Sequence, residues 1–325
     1  MELPLLQNIK IKASQNKRTI ILPESDDERV LKAADKLLNN NLASIITLGE
    51  ENKIRTNADK LKLKLNGIRI INPNSADKLS DFANIYFNIR KKKGVSIEQA
   101  RETIKNNLFF AAMMIKEGMA DGSVAGSVAS TGDVLRAGIQ CVGIKPEISV
   151  VSSFFLMILP NYNYCFADCA VVPDPDEKQL ADIAISSSDN FKKLVGEDPY
   201  TAMLSFSTKG SAKHESIDKV LSALKIVKQK RPELNIDGEI QFDAAIIDSI
   251  GKRKAPGSNV AGKANVFIFP DLNAGNIAYK IAERLGGATA VGPIVQGLNK
   301  PFFDLSRGCS VDDIVYTACI ASLMS

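Results

Sequence analysis

The sequence predicts an α/β protein of two domains built on parallel layers, and three observations predict it. Short apolar runs rich in Ile, Val and Phe alternate with amphipathic stretches of helical spacing, the pattern of strands joined by crossover helices. The 325 residues match about two domains of ordinary size. No internal repeat or low-complexity tract interrupts the pattern, so a solenoid is excluded.

In chain order, "RTIILPES" is an apolar run ending in a turn. "DDERVLKAADKLLNNN" follows with apolar residues at 30, 31, 34, 37 and 38, a helix face, and Ser25 with Glu28 has capping-box spacing. "ASIITLGE" and "GIRIINPN" read as the next strands. "DGSVAGSVASTGDVLRAGIQ" (121–140) carries small residues and hydroxyls into a helical pattern. Further strands are expected in "ISVVSSFFLMIL", "CFADCAVV", "TAMLSFS" and "ANVFIFPD", separated by helices in "EKQLADIAISSSDNFKKL" and "SIDKVLSALKIVKQ". The linker "GIKPEIS" (143–149) is the expected domain boundary. Periodicity leaves open whether the last 25 residues pack with the second half or return to the first.

Composition narrows the function classes. With 45% hydrophobic and 24% charged residues the chain is of the soluble globular type. A net charge of +4 suits an anionic small molecule and lacks the concentrated basic patch of a nucleic-acid binder. The longest apolar run (148–159) is too short to span a bilayer, and the N-terminus lacks the features of a signal peptide, so a cytoplasmic location is expected. Five cysteines, odd in number and scattered, argue against a disulfide framework and show no zinc-site spacing. The single histidine, His214, lies in a polar stretch, so a general base is expected to be a carboxylate.

Four stretches carry possible chemistry. In 121–140, Ser130 and Thr131 can each cap the helix that follows, with Arg136 a turn and a half further in. An anion or carbonyl site and tight packing of small residues explain this stretch equally well. "FSTKGSAKH" (206–214) places hydroxyl, Gly and Lys residues at a strand end, where ligands bind in open α/β sheets. Gly257-x-x-x-x-Gly262-Lys263 approaches a nucleotide P-loop. Ala264 replaces its metal-binding hydroxyl and a strand follows where a helix should, so ATP is not its ligand. Finally, Ser310 and Asp313 have capping-box spacing at a helix start that also gathers Ser306, Arg307 and Cys309, more than a cap requires.

Together "LPESDDERVLKAA", "IRKKKG", "ADGSVAGSVASTGDVLRAGIQ", "VVPDPDEKQLADIAISS", "PGSNVAGKANVFIFPDLNAGNIAYK" and "GPIVQGLNKPFFDLSRGCSVDDIV" make the chain resemble the phosphate acetyltransferases over nearly its full length, in their short form. The resemblance implies two three-layer α/β domains of isocitrate/isopropylmalate dehydrogenase type with an active-site cleft between them. Residues 1–146 with 301–325 would form the first and 147–300 the second. It implies a homodimer and reversible acetyl transfer between coenzyme A and inorganic phosphate, with no metal or organic cofactor. The partners it implies are the small molecules acetyl-CoA, CoA, phosphate and acetyl phosphate, with neither nucleic acid nor membrane.

Roles follow where residues match. Asp313 corresponds to the family's base for the coenzyme A thiol, and Ser306 and Arg307 to the pair that orients substrate and stabilises the transition state. Arg90, Arg136 and Arg284 match substrate-binding arginines, and Ser130 and Thr131 are assigned with them. "LRAG" in place of the family's commoner "LRPG" changes a neighbour of Arg136 and leaves the arginine in place.

The chemistry needs such groups. A thiol is only slightly ionised near neutral pH, a carboxylate can take its proton as attack begins, and arginine forks suit phosphate oxygens. A rival route makes Cys309 the nucleophile of an acetyl-enzyme, its thiol activated by the helix N-terminus and Arg307. Rival functions are a phosphate butyryltransferase with a larger acyl pocket, a metal-dependent decarboxylating dehydrogenase of similar fold, and a non-catalytic module.

Overall fold

A computed structural model of the chain describes residues 2–325. In chain order its elements begin α1 (Pro4–Gln15), β1 (Thr19–Leu22), α2 (Glu28–Asn39), β2 (Ser44–Leu48), α3 (Glu51–Lys60) and β3 (Arg69–Ile71). Then come α4 (Leu79–Arg90), α5 (Ile97–Ile104), α6 (Asn107–Lys116), β4 (Gly122–Ala125) and α7 (Thr131–Ala137). They continue as β5 (Ser152–Leu159), β6 (Tyr162–Ala167), α8 (Glu177–Val195), β7 (Thr201–Leu204), α9 (Glu215–Lys230) and β8 (Ile236–Ile240). The last are α10 (Phe242–Ile246), α11 (Asp248–Lys254), β9 (Val266–Ile268), α12 (Leu272–Arg284), β10 (Thr289–Gln296), β11 (Phe302–Asp304) and α13 (Val311–Met324).

The chain divides into two compact units, one running up to Gly143 and joined by Leu298–Ser325, the other Ile144–Gly297. The first holds a five-stranded sheet of order β11-β4-β1-β2-β3, parallel throughout. Ile20, Ile21, Leu22, Ile45, Ile46 and Leu48 are buried, the near-continuous apolar run of parallel strands covered on both faces. Beyond its first turn α13 is buried along almost its whole length, packed on α1 and α2.

The α2 helix forms where the spacing predicts, but its cap differs. The Asp27 carboxylate accepts the Arg29 amide at 2.8 Å, whereas Ser25 is buried and its hydroxyl donates to the Leu48 carbonyl at 2.7 Å. A buried hydroxyl on the strand side finds its acceptor there, leaving the cap to the next carboxylate.

The second unit holds a mixed six-stranded sheet of order β10-β5-β6-β9-β7-β8, in which β5 runs antiparallel to both neighbours. The expectation of parallel layers therefore fails on this side. The Pro160–Asn161 turn between β5 and β6 makes a hairpin, too short for the crossover that parallel strands require.

The near-P-loop lies between α11 and β9 and spends its polar groups on its own fold. Ser258 donates to Asp237 at 2.5 Å and accepts the amides of Val260 and Ala261, while the Lys263 ammonium sits 4.6 Å from the Tyr200 ring centre. Gly262 has φ +83°, and a Cβ there would fall 2.6 Å from the Asp248 Cα. The glycine serves backbone packing. No helix among the described residues is long and apolar enough to cross a membrane.

Candidate active site

The first unit's sheet gathers three loops at the C-terminal ends of β1, β4 and β11, which are neighbours in the order β11-β4-β1. From β1 the chain moves to β2 and β3 on one side, then returns to β4 and β11 on the other. That reversal is the topological switch point, where open α/β sheets bind ligands.

After β11 come the exposed residues Ser306 and Arg307. Ser306 shapes the turn through its carbonyl, which accepts the Cys309 amide at 2.9 Å. Among the described residues the Arg307 side chain has no hydrogen bond or ion pair, so its guanidinium is free to meet an anion. Ser310 and Asp313 form the complete capping box of α13: the Asp313 amide donates to Ser310 Oγ at 3.1 Å, and Asp313 Oδ2 accepts the Ser310 amide at 2.8 Å. The bland reading of Asp313 as a cap is thus real, yet it occupies one oxygen only. Oδ1 takes no hydrogen bond among the described residues.

After β4, Ser130 is the N-cap of α7, its Oγ accepting the Asp133 amide at 3.2 Å and donating to the Asp133 carboxylate at 2.8 Å. Thr131 instead donates to Asp304 Oδ2 at 2.6 Å, tying the start of α7 to the end of β11. Arg136, exposed on α7, pairs with Asp133 at 2.8 Å. Of the two explanations for 121–140, tight packing holds at Gly126, where a Cβ would lie 2.3 Å from Asp304 Oδ1. The exposed residues Ser130 and Thr131 stand beside it, the Thr131 hydroxyl turned onto Asp304. Arg90 ends α4 with a buried Nε that has no partner among the described residues, next to Tyr86 and Cys141. Arg284 belongs to the second unit, highly exposed at the end of α12 with Glu283 beside it at 3.3 Å.

Other expectations fare differently. Cys309 is buried, and burial pushes its thiol up to about 11 against the opposing pull of a guanidinium. That guanidinium is Arg29, whose Nη1 lies 3.8 Å from the sulfur, not Arg307. The activation that the rival acetyl-enzyme route requires of this thiol is opposed by its burial, since desolvation outweighs one nearby cation. In "FSTKGSAKH", Lys209 is turned onto Asp237 at 2.5 Å, and His214 caps α9 by accepting the Ser216 amide. That strand end is held by internal bonds.

Sequence reasoning missed Glu24, Asp27, Arg29 and Asp304. The Glu24 carboxylate accepts the amides of Gly126, Ser127, Val128 and Ala129 and the Ser127 hydroxyl, between 2.7 and 3.2 Å. Burial would raise Asp27, but the Arg29 guanidinium holds it below the ordinary carboxylate range. Burial pushes Asp304 up to about 6, opposed by the Thr131 hydroxyl and reinforced by the charge of Glu24. A charged residue just past an apolar strand, one proline on, was the available signal for Glu24.

Asp304 gives a pH prediction. Its carboxyl is raised above the ordinary value of 3.8 in the folded chain. The folded state therefore keeps a proton that the unfolded state releases, and stability from this group falls as pH rises from about 4 to about 6. The difference corresponds to at most about 3 kcal/mol. Asp304→Asn should flatten that slope and raise the melting temperature near neutral pH. An unchanged pH–melting curve contradicts the assignment.

Comparison with known proteins fits this geometry. Residues 4–322 match the family model described as Phosphate acetyl/butaryl transferase. A phosphate acetyltransferase of Acetivibrio thermocellus is 48% identical over 326 residues, covering 98% of each chain. The solved EutD phosphotransacetylase of Staphylococcus aureus is 45% identical with a TM-score of 0.92, over 98% of this chain and 97% of that one. A phosphotransacetylase of Streptococcus pyogenes is 42% identical with a TM-score of 0.95, over 99% and 98%. With the family model covering nearly the whole sequence, the chain belongs to the phosphate acetyl/butaryl transferase family.

Proposed function

We infer that the chain is a phosphate acetyltransferase that moves an acetyl group directly between coenzyme A and phosphate in a ternary complex. The observation that carries this is near-full-length similarity to phosphate acetyltransferases, joined to Ser306, Arg307 and a half-free Asp313 on one loop and helix start. In the thioester-forming direction, Asp313 takes the thiol proton as sulfur attacks the acetyl carbonyl of acetyl phosphate. The carbonyl π pair moves onto oxygen, where Ser306 and Arg307 face the negative charge. That pair then re-forms the carbonyl, the C–O bond to phosphate breaks, and phosphate leaves with its electrons. The proton passes from Asp313 to phosphate, so nothing is oxidised or reduced.

Arg90 and Arg136 serve the phosphates of coenzyme A, and Ser130 and Thr131 the acetyl phosphate side. Support for Arg90 is its buried Nε, unpartnered among the described residues, and the Lys91–Lys93 turn that follows. The reading includes two three-layer α/β domains and Arg284 as a substrate-binding arginine, on the strength of the resemblance. It also places the enzyme in the cytoplasm and requires no metal or organic cofactor.

Thioester formation from acetyl phosphate and coenzyme A, followed in the ultraviolet with a chelator present, tests the function. Steady turnover supports it; no thioester, or turnover only on adding metal, counts against it. Because the family model covers both acyl groups, the same assay with butyryl phosphate decides between acetyl and butyryl. A preference for butyryl favours the second reading.

The homodimer is supported by α12 and its C-cap, which leave Ile277, Ile281 and Leu285 exposed at helical spacing. Light scattering of the purified chain should give twice the 35.2 kDa chain mass; a monomer mass overturns it.

A further inference from the structure

Four successive amides, from Gly126 to Ala129, converge on one point, the kind of backbone nest that binds free anions. Here the anion is built in. Glu24, at the β1 side of the switch point, fills the nest with both carboxylate oxygens and takes the Ser127 hydroxyl as well. Five residues on, Arg29 holds two loops at once. Its Nη1 donates to the carbonyls of Arg307 and Cys309 at 2.8 Å each, and its Nη2 donates to the Ser127 carbonyl at 3.0 Å. Asp27 fixes the guanidinium from behind, at 2.6 Å to Nη2 and 3.1 Å to Nε.

The two side chains therefore act on main-chain atoms of the loops and leave the side chains of Ser306, Arg307, Ser130 and Thr131 unengaged by either of them. A flexible loop after β11 and another after β4 would each lose entropy on meeting substrate; fixing both beforehand removes that cost from the reaction.

We propose that Glu24 and Arg29 are positioning residues for acyl transfer, bracing the 126–130 loop and the 305–310 loop so that their exposed groups meet acetyl phosphate together. The inference rests on the reading that Ser306 and Arg307 handle acetyl phosphate.

The test is steady-state kinetics on the full-length enzyme, varying acetyl phosphate and coenzyme A in turn, with thermal melting alongside. The variants are Arg29→Met, Arg29→Lys and Glu24→Gln, with Arg307→Ala as the control on the reading. Arg29→Met and Glu24→Gln should each lower kcat/KM for acetyl phosphate by about 10²-fold while leaving the KM for coenzyme A within about twofold. Arg29→Lys should recover only part of this, because one ammonium cannot reproduce the guanidinium's fixed fork. If Arg29→Met does not fold, Arg29→Lys, which keeps stem and charge, carries the same readout.

Wild-type kinetics in Arg29→Met and Glu24→Gln overturn the proposal. So does a loss that follows the folded fraction while both KM values stay put, since that is a purely structural effect. A crippled Arg307→Ala beside a normal Arg29→Met removes the brace alone. A normal Arg307→Ala removes the underlying reading, and the brace with it.

Discussion

Asp313→Asn is expected to lower kcat by about 10²–10⁴-fold while coenzyme A still binds with near-native affinity. The two oxygens of Asp313 have separable duties. Oδ2 accepts the Ser310 amide in the capping box, and an asparagine carbonyl can do the same. Oδ1 has no partner among the described residues, and it is this oxygen, with the negative charge, that is available to a thiol proton. The substitution therefore removes basicity and keeps the cap, so the melting temperature should move little. Ser310→Ala makes the opposite change. It removes the hydroxyl that accepts the Asp313 amide, a loss of about 1 kcal/mol of stability, and leaves the carboxylate in place. Steady-state turnover with calorimetric binding of coenzyme A separates the two roles. Near-normal turnover in Asp313→Asn would leave the residue as a cap only.

Arg307→Ala carries the second large effect, a fall in kcat of about 10²–10³-fold. Its side chain makes no hydrogen bond or ion pair among the described residues, while its carbonyl is held by Arg29 at 2.8 Å. Truncation thus deletes a solvent-facing cation without disturbing the loop, and folding stability should be unchanged. Lysine should restore part of the rate, since it returns the charge without the planar fork that matches phosphate oxygens. Equal kcat in Arg307→Ala and the parent enzyme would remove the guanidinium from the transition state.

The sequence was most readable where local pattern and burial agree. The α2 helix, the strands from β1 to β3 and the capping box of α13 rest on periodicity or fixed spacing, and all appear. Strands β4 and β11 were not legible. Each has at most four residues, and "GSVA" carries small side chains where a strand signal wants branched or aromatic ones. β10 was missed because its "GP" step reads as a breaker, and the strand accommodates it with a register shift between Val291 and Ile294.

Within the site, exposed residues with recognisable neighbours were found, and the groups beneath them were not. Glu24 and Arg29 lie in "LPESDDER", which reads locally as the polar start of a helix. Their partners stand 102 and 280 residues away, so only the sheet order brings them together. Cys309 failed in the other direction. Its spacing suggested an activated thiol, and burial, which spacing does not report, pushes it to about 11.

The choice between direct transfer and an acetyl-enzyme can be read from one exchange experiment. Radiolabelled inorganic phosphate is incubated with the enzyme and unlabelled acetyl phosphate, first without coenzyme A and then with it. Direct attack by the coenzyme A thiol predicts no label in acetyl phosphate until coenzyme A is added, and rapid labelling afterwards. Label entering acetyl phosphate without coenzyme A would require an acetyl group parked on the protein, and would contradict direct transfer with Asp313 as the base.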